Sequence, residues 1–474
     1  TNTERVFAEP LERPYPKDGI NDHLVHGADT VNPDHQGTKV AWHYAVTVPS
    51  GETVEMRLRL WSPSDGDHPD PGWAGPRFSE LMRQRETEAD DFYASVAPED
   101  ASAERIDIMR RAFAGMIWCK QFFRYDVSRW LDGDPDEPSP PPGRARVRNY
   151  NWRNLDAYDV MSMPDSWEYP WFAAWDLAFH TVVFAHIDAE YSKYQLLLML
   201  REWYMHPSGA LPAYEWNFDD VNPPVHAWAA IRVFEIDGAT DVDFLARVFQ
   251  KLLINFTWWV NKVDKEGNSV FEGGFLGLDN IGPIDRSHLP EGYTIEQADG
   301  TAWMAFYALM MLRMSIRLAA HDDAYSPMAL KFLEHFATIT DGIASVGLFD
   351  AEEGFFYDQL VRPDGSRESI KVRSLVGVIP VLAGAYLDQS TALTGSDRYR
   401  RRVKDFLRRR GMAEDANMTD HSTGFLQFRT SDGAPRALLT VVDPERLRRV
   451  LLEVLSEDSM LSPHGLRSLS KRME

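Results

Sequence analysis

Between residues 40 and 61 (VAWHYAVTVPSGETVEMRLRLW), apolar and polar side chains alternate on either side of Pro49-Ser50-Gly51. A period of two marks half-buried strands, and the turn residues between the runs predict a β-hairpin. The following SPSDGDHPDPGWAGP (62–76) is a linker by composition. From about Phe78 the apolar positions take helical spacing. They predict helices over 78–96, 101–129, 172–187, 190–205, 225–237, 241–263, 297–319, 325–338, 371–388, 397–409 and 444–456. The stretches LLINFTWWV and AWMAFYALMMLRM are apolar nearly all round, so these helices must be covered on more than one side. The chain is mainly α.

The connections alternate in character. DGDPDEPSPPPGRARVR (132–148) is proline-rich and exposed by composition, whereas the long loops at 152–171, 206–224, 264–296 and 346–370 combine Trp, Asp, Glu and Gly. Long, chemically rich loops alternating with short ones are what antiparallel helix pairs around a toroid produce, with a site on one rim. An α-solenoid with decorative loops is the alternative, and the lack of a fixed sequence period counts against it.

Composition narrows the function. A length of 474 residues calls for more than one hydrophobic core. A net charge of −22 argues against nucleic acid and anionic membrane surfaces as partners. The 15 tryptophans are an excess that suits a sugar site as well as a core, because a flat indole matches the C–H face of a pyranose. The lone Cys119 cannot form an internal disulfide, and MIWCKQFF places it on a face expected to be buried. No apolar run is long enough to span a bilayer, and a cytoplasmic location is expected. Asn255-Phe-Thr257 and Asn417-Met-Thr419 are sequons, the first in an apolar helix and hence a coincidence.

Four segments carry candidate chemistry. FEGGFLGLDNIGPIDR (271–286) sets Asp279 in an apolar, glycine-rich turn, followed by Asn280, Asp285 and Arg286. A carboxyl among Phe271, Phe275, Leu276 and Leu278 has its pKa raised, which suits a proton donor. SWEYPWFAAWD (166–176) brings Trp167, Trp171 and Trp175 before Asp176 at a helix start, where an Asp can equally serve as a cap. GALPAYEWNFDDVNPPVHAW (209–228) holds Glu215, Trp216 and Asn222. TIEQADGTAW (294–303) holds Asp299, again at a position that can cap. His180 and His226 lie on apolar helices and read as satisfied core residues. HExxH, CxxC, nucleophile-elbow and phosphate-loop patterns do not occur, so no metal or other cofactor is called for. Carboxylates with indole walls point to glycosidic-bond cleavage.

SWEYPWFAAWDLAFHT, ALPAYEWNFDDVNPPVHAW and FEGGFLGLDNIGPIDR resemble glycoside hydrolase family 63, which includes processing α-glucosidases and mannosylglycerate-type hydrolases. The resemblance runs from roughly Trp42 to Ser470. It implies an (α/α)6 toroid of helical hairpins, often preceded by a β-rich domain, and hydrolysis with inversion of an α-glucoside or related small glycoside. Asp279 matches the family's general acid, although Gly-Leu-Asp-Asn replaces the Glu-Ser-Gly-Trp-Asp of trehalase-like relatives. Trp175 and Asp176 match the pocket-lining pair. Trp171, Glu215, Trp216, Asn280, Arg286 and Asp299 are assigned to substrate binding.

An inverting enzyme also needs a base, which the family places beyond a Gly-Leu-Arg-Ser segment; SPHGLRSLS (462–470) is followed only by KRME. The base is therefore expected beyond residue 474, with the last hairpins missing. The expected organisation is a remnant of a β-rich domain at 1–65, a linker with a helix at 66–100 and the helical domain at 101–474. Two alternatives stand beside an α-glucosidase. One is a catalytically impaired carbohydrate-binding protein, and the other a mannosylglycerate-, glucosylglycerate- or trehalose-type hydrolase.

Overall fold

The structure is a computed structural model that describes residues 2, 4–5, 8–11, 14–62, 64, 72–135, 138–147, 149–164, 171–213, 221–272, 284–286, 288–388, 397–410, 422–423, 426–431 and 434–473. It divides into two compact units, Thr1–Asp91 and Phe92–Glu474, and the division falls within the expected linker-and-helix stretch.

In the first unit, helix α1 (Gly19–His26) stops at Gly27, whose φ of 65° is a left-handed cap that a glycine adopts without a Cβ clash. Arg5 pairs with Asp18 and Asp22, each at 2.8 Å. Residues 40–61 depart from the expected hairpin. Two runs without regular secondary structure flank a turn in which the Glu52 amide donates to the Pro49 carbonyl (3.1 Å), and no ladder joins them. Two strands alone bury too little to hold a ladder in water. The apolar members of the alternation stay exposed: Trp42 is 76% exposed and Leu60 100%. Arg57, on the polar side, ties the arm to the chain that follows. It donates to the carbonyls of Ala74 (2.6 Å) and Gly75 (3.2 Å) and lies 4.9 Å from the Phe78 ring centroid. Helix α2 (Pro76–Ser95) spans the division between the units.

The second unit opens with α3 (Ala103–Trp118), capped by the Ser102 hydroxyl accepting from the Arg105 amide. The helix expected over 101–129 ends there. Strand β1 (Lys120–Asp126) follows and pairs antiparallel with β2 (Asp156–Ser162), from Lys120↔Ser162 to Asp126↔Asp156. Burial explains the change: β1 turns Phe123 inward and leaves Phe122 out, the strand period rather than the helical one. Cys119 caps α3 half-buried, not packed as expected. A short helix, α4 (Val127–Asp132), adds Val127 and Leu131 to a core shared with Trp152, Leu155, Phe172 and Tyr204.

Three helical hairpins carry the main core. They are α5 (Ala174–Phe184) with α6 (Ala189–Leu198), α7 (His226–Ile236) with α8 (Val242–Val260), and α9 (Ala298–Ala319) with α10 (Ser326–Ser345). Within each pair the connection is only a few residues long, which forces antiparallel neighbours. Helix α7 touches both α5 and α9, so these first members form one layer, as in an α/α toroid. Helix α9 is buried along nearly its whole length, matching its all-round apolar sequence. It is enclosed by α7, α8, α10 and a 3-10 turn at Leu375–Leu382. Phe332 of α10 packs edge-on against Phe249 and Phe256 of α8, with centroids 6.0 and 4.9 Å away.

The helix expected over 371–388 is instead that 3-10 turn followed by strand β8 (Gly384–Asp388). Pro380 inside the turn has no N–H to continue an α-helix. Two larger sheets follow. Strands β3 (Thr294–Glu296), β6 (Asp358–Val361) and β7 (Arg367–Ile370) form one, in the order β3-β6-β7; a small pair, β4 (Phe349–Asp350) and β5 (Phe355–Phe356), precedes β6. The other sheet has the order β8-β11-β10-β9, built from β9 (Ser422–Thr423), β10 (Leu426–Ser431) and β11 (Ala434–Thr440). Helices α11 (Asp397–Arg409) and α12 (Pro444–Val454) fall where the sequence predicts helices.

Candidate active site

Helices α5, α7 and α9 are each followed by a tight elbow and preceded by a longer segment. These segments hold the residues singled out in the sequence. Trp167 (within 165–170), Glu215 and Trp216 (within 214–220), Asp279 and Asn280 (within 273–283) and the Asn417 sequon (within 411–421) lie outside the described residues. The others can be placed.

Trp171 and Trp175 are half-buried at the approach to α5. Asp176 sits in its first turn, while the cap position is Ala173, which offers no side-chain bond. Asp176 is thus not the N-cap. Burial pushes its carboxyl up from 3.8 to about 6, with a backbone hydrogen bond opposing the shift. Trp175 meets Phe179 edge-on (6.0 Å), and Phe179 meets Trp228 of α7 (5.6 Å), so an aromatic strip crosses from one hairpin to the next. Phe179 and Trp228 were not singled out in the sequence reading, although Trp228 closes one of its motifs. The approach is braced from the second segment: the Ala174 amide donates to the Pro212 carbonyl (2.8 Å), as does Asn222 Nδ2 (3.0 Å).

His226 is buried, with Nε2 2.9 Å from the Leu196 carbonyl, and burial lowers its pKa to about 4. His180 is half-buried with Nδ1 2.9 Å from Ser162 Oγ. Asn255 donates to the Gly209 carbonyl (2.7 Å) and accepts from the Tyr307 hydroxyl (2.9 Å), so this sequon is spent inside the core.

Phe271 and Arg286, described residues on either side of 273–283, are both bonded to the start of α9. On the entry side, the Phe271 amide donates to Thr301 Oγ1 (2.9 Å) and its carbonyl accepts from the Gln297 amide (3.0 Å). Glu272 bridges to Glu296 of β3, and its carboxyl is raised, chiefly by burial. On the exit side, Arg286 Nη1 donates to Asp299 Oδ2 (3.0 Å) and Nη2 to Asp358 Oδ2 (2.5 Å). All three are buried, and Asp299 is 0% exposed. Asp299 Oδ1 accepts from the Gly300 amide, and Asp358 Oδ1 accepts from the Ala298 amide, both at 2.8 Å. A carboxylate from β6 thereby satisfies a free amide of the first helical turn, the capping task that the sequence allows Asp299. Burial pushes Asp358 upward, Arg286 pulls against it and Asp299 adds to it. The Arg286 cation is held more firmly than in water by the two carboxylates, although burial opposes this.

Asp358, Glu296 and Glu272 were missed in the sequence. The usable signal was an ionisable residue inside an apolar strand-like run, GFFYDQLV (354–361), where a charge is buried only if paired. Among the described residues, two carboxylate groups are close enough to hold an ion, Glu190–Asp237–Asp241 and Asp264–Glu266–Glu296. Each already has a cationic partner. Lys193 reaches Asp237 (2.8 Å) and Asp241 (2.9 Å), and Arg367 reaches Glu266 (2.6 Å) and Glu296 (2.9 Å). They read as ion-pair networks.

Residues 169–276 match the mannosylglycerate hydrolase MGH1-like glycoside hydrolase domain. The chain is 43% identical over 505 residues to an uncharacterized protein of Saccharomyces cerevisiae, a match covering 100% of this chain and 45% of that protein. The chain therefore spans under half the length of this relative. Among solved structures, an uncharacterized conserved protein from Thermus thermophilus is similar at 19% identity, with a TM-score of 0.39, over 53% of this chain and 72% of that one. A family 63 mannosylglycerate hydrolase from the same organism, in complex with glucose, is similar at 18% identity and a TM-score of 0.39, over 53% and 72%.

Proposed function

We propose that this chain, a relative of glycoside hydrolase family 63, belongs to an inverting glycosidase that cleaves an α-glucoside or related small α-glycoside, with Asp279 as general acid. The observation that carries the reading is the domain match over 169–276, which begins at the Trp171–Asp176 approach and ends inside the FEGGFLGLDN motif. The geometry supports it chemically. A half-buried carboxyl titrating near 6 beside Trp175 suits a group that receives sugar hydroxyls. The aromatic strip from Trp175 to Trp228 offers flat apolar faces for a pyranose.

In the proposed reaction Asp279 protonates the bridging oxygen as the glycosidic bond breaks, and a water attacks the anomeric carbon from the opposite face, giving its proton to a second carboxylate that acts as general base. Trp171, Trp175 and Trp216 pack on the sugar, while Asp176, Glu215 and Asn280 hold hydroxyls. The matched domain's name favours a mannosylglycerate-type substrate as the second reading.

The test is Asp279→Asn, assayed on p-nitrophenyl α-glucoside and on mannosylglycerate. Turnover should fall by at least the about 10²–10⁴-fold of acid catalysis while sugar binding persists. Unchanged turnover removes the acid assignment. Proton NMR of the first-formed sugar reads the stereochemistry, and a retained anomer removes the inverting mechanism.

A further inference from the structure

We infer that Arg232, Arg313 and Arg317, gathered around Glu235 where α7 meets α9, form a binding site for a compact oxyanion of the phosphate class. Glu235 Oε2 accepts from Arg232 Nη1 (2.7 Å), one turn earlier on α7. Its other oxygen, Oε1, faces α9. Arg313 Nη2 donates to that oxygen (3.2 Å), and Arg317 Nη2 stands 3.6 Å from it. Two helices thus bring three guanidinium groups to one carboxylate.

The charges at this cluster do not balance. Three cations meet a single anion, an excess of two positive charges in a chain whose net charge is −22. Acids close by in the sequence are engaged elsewhere. Asp237 lies 2.8 Å from Lys193, and Asp322 accepts from the Ala324 amide (2.9 Å). Among the described residues no second carboxylate pairs with the three arginines. Lys193 is the reverse case, one cation held by Glu190, Asp237 and Asp241.

Hydrogen bonding is equally one-sided. Each guanidinium carries five N–H donors in one plane. Among the described residues, Arg232 and Arg313 each give one side-chain hydrogen bond, and Arg317 gives none, since 3.6 Å is too long. Water does not serve the whole cluster, because Arg313 and Glu235 are half-buried. Burial lowers the pKa of Arg313, Glu235 opposes this, and Arg317 and Arg232 add to the lowering. Arg313 and Arg317 are also four positions apart on α9, a spacing at which like charges repel. The C-terminal ends of α7 and α9 supply a partial negative charge of about half a unit each. That offsets only part of the excess and fades beyond the last turn, short of Arg313. A dianion answers the remaining charge, and paired guanidinium forks match the oxygens of a phosphate.

The experiment is isothermal titration calorimetry of the full chain with inorganic phosphate, with chloride at equal ionic strength as the blank, repeated with phenyl phosphate. The parent should bind phosphate saturably at one site. Arg232→Gln and Arg317→Gln, both at exposed side chains, should each weaken binding by at least about tenfold. Glu235→Gln removes the competing carboxylate and should tighten it. Arg247→Gln, at a separate exposed ion pair on α8, should bind as the parent does. Binding of both probes assigns the site to phosphate monoesters, and binding of inorganic phosphate alone assigns it to the free anion; either upholds it. No saturable binding of either probe overturns the inference, as does parental affinity in both exposed arginine variants. A rival reading gives the arginines to the helix ends alone. Under it, Arg317→Gln lowers the melting temperature while phosphate leaves that of the parent unchanged, and this result also overturns the site. If Glu235→Gln does not fold, the Arg232 and Arg317 variants carry the test.

Discussion

Phe271 and Gly300 are packed so closely that a methyl group on Gly300 would stand 2.5 Å from the ring's Cδ1 and 2.9 Å from its Cγ. The ring is fully buried and also meets Trp259 at 5.3 Å, so it has nowhere to retreat. Gly300→Ala should therefore destabilise the second unit by about 1–3 kcal/mol, the range for overpacking a filled core. Chemical denaturation of parent and variant measures it. A gain in stability would show that the ring can move aside.

Asp176 provides a pH-dependent prediction. Its carboxyl titrates near 6 in the folded chain against 3.8 for the free side chain. The folded state thus binds this proton more tightly than the unfolded state does. Stability from this group is fully present below about 3.8, is lost as pH rises towards 6 and is then constant. Asp176→Asn should raise the melting temperature at pH 7.5 and change it little near pH 4, while weakening sugar hydrolysis. Melting curves at the two pH values check the sign.

His226 works in the other direction. Its folded pKa of about 4 lies below the ordinary 6.5 because the ring is buried. The unfolded state therefore takes up this proton first, and stability falls as pH drops from about 6.5 to about 4. His226→Gln should flatten that part of the acid-unfolding profile. It should also lower stability at pH 7 by about 1–3 kcal/mol wherever the glutamine fails to reach the Leu196 carbonyl. Stability curves measured between pH 4 and 7 separate the two effects.

The exposed arm of the first unit is predicted to govern solubility. Leu58 and Leu60 are 63% and 100% exposed on the apolar side of an alternating run that pairs with no other strand. Long apolar edges of this kind invite intermolecular pairing. Leu58→Lys with Leu60→Lys should raise the concentration at which light scattering appears, with no change in the melting temperature of the second unit.

The helices were legible in the sequence wherever burial is one-sided or complete over a long stretch. His226–Ile236, Val242–Val260 and Ala298–Ala319 were located to within a few residues because their apolar periodicity runs unbroken. Lys120–Asp126 was not, since WCKQFFRYD continues an apolar helix without a breaker and only pairing with Asp156–Ser162 reveals its period of two. Trp175 and Asp176 were legible as candidates because they cluster in one motif. Asp358 was not, because its partner Arg286 is 72 positions away in the chain. Long-range ion pairs leave no local spacing to read.

The alternation of tight elbows and long connectors has a consequence for redesign. Lys193 binds the residues around the elbow between α7 and α8 from a neighbouring helix, leaving no slack for insertion on that side. The longer connectors that lead into the first helix of each pair are rich in proline, glycine and tryptophan. Changes of length are thus expected to be far cheaper in those connectors than at the elbow that Lys193 holds.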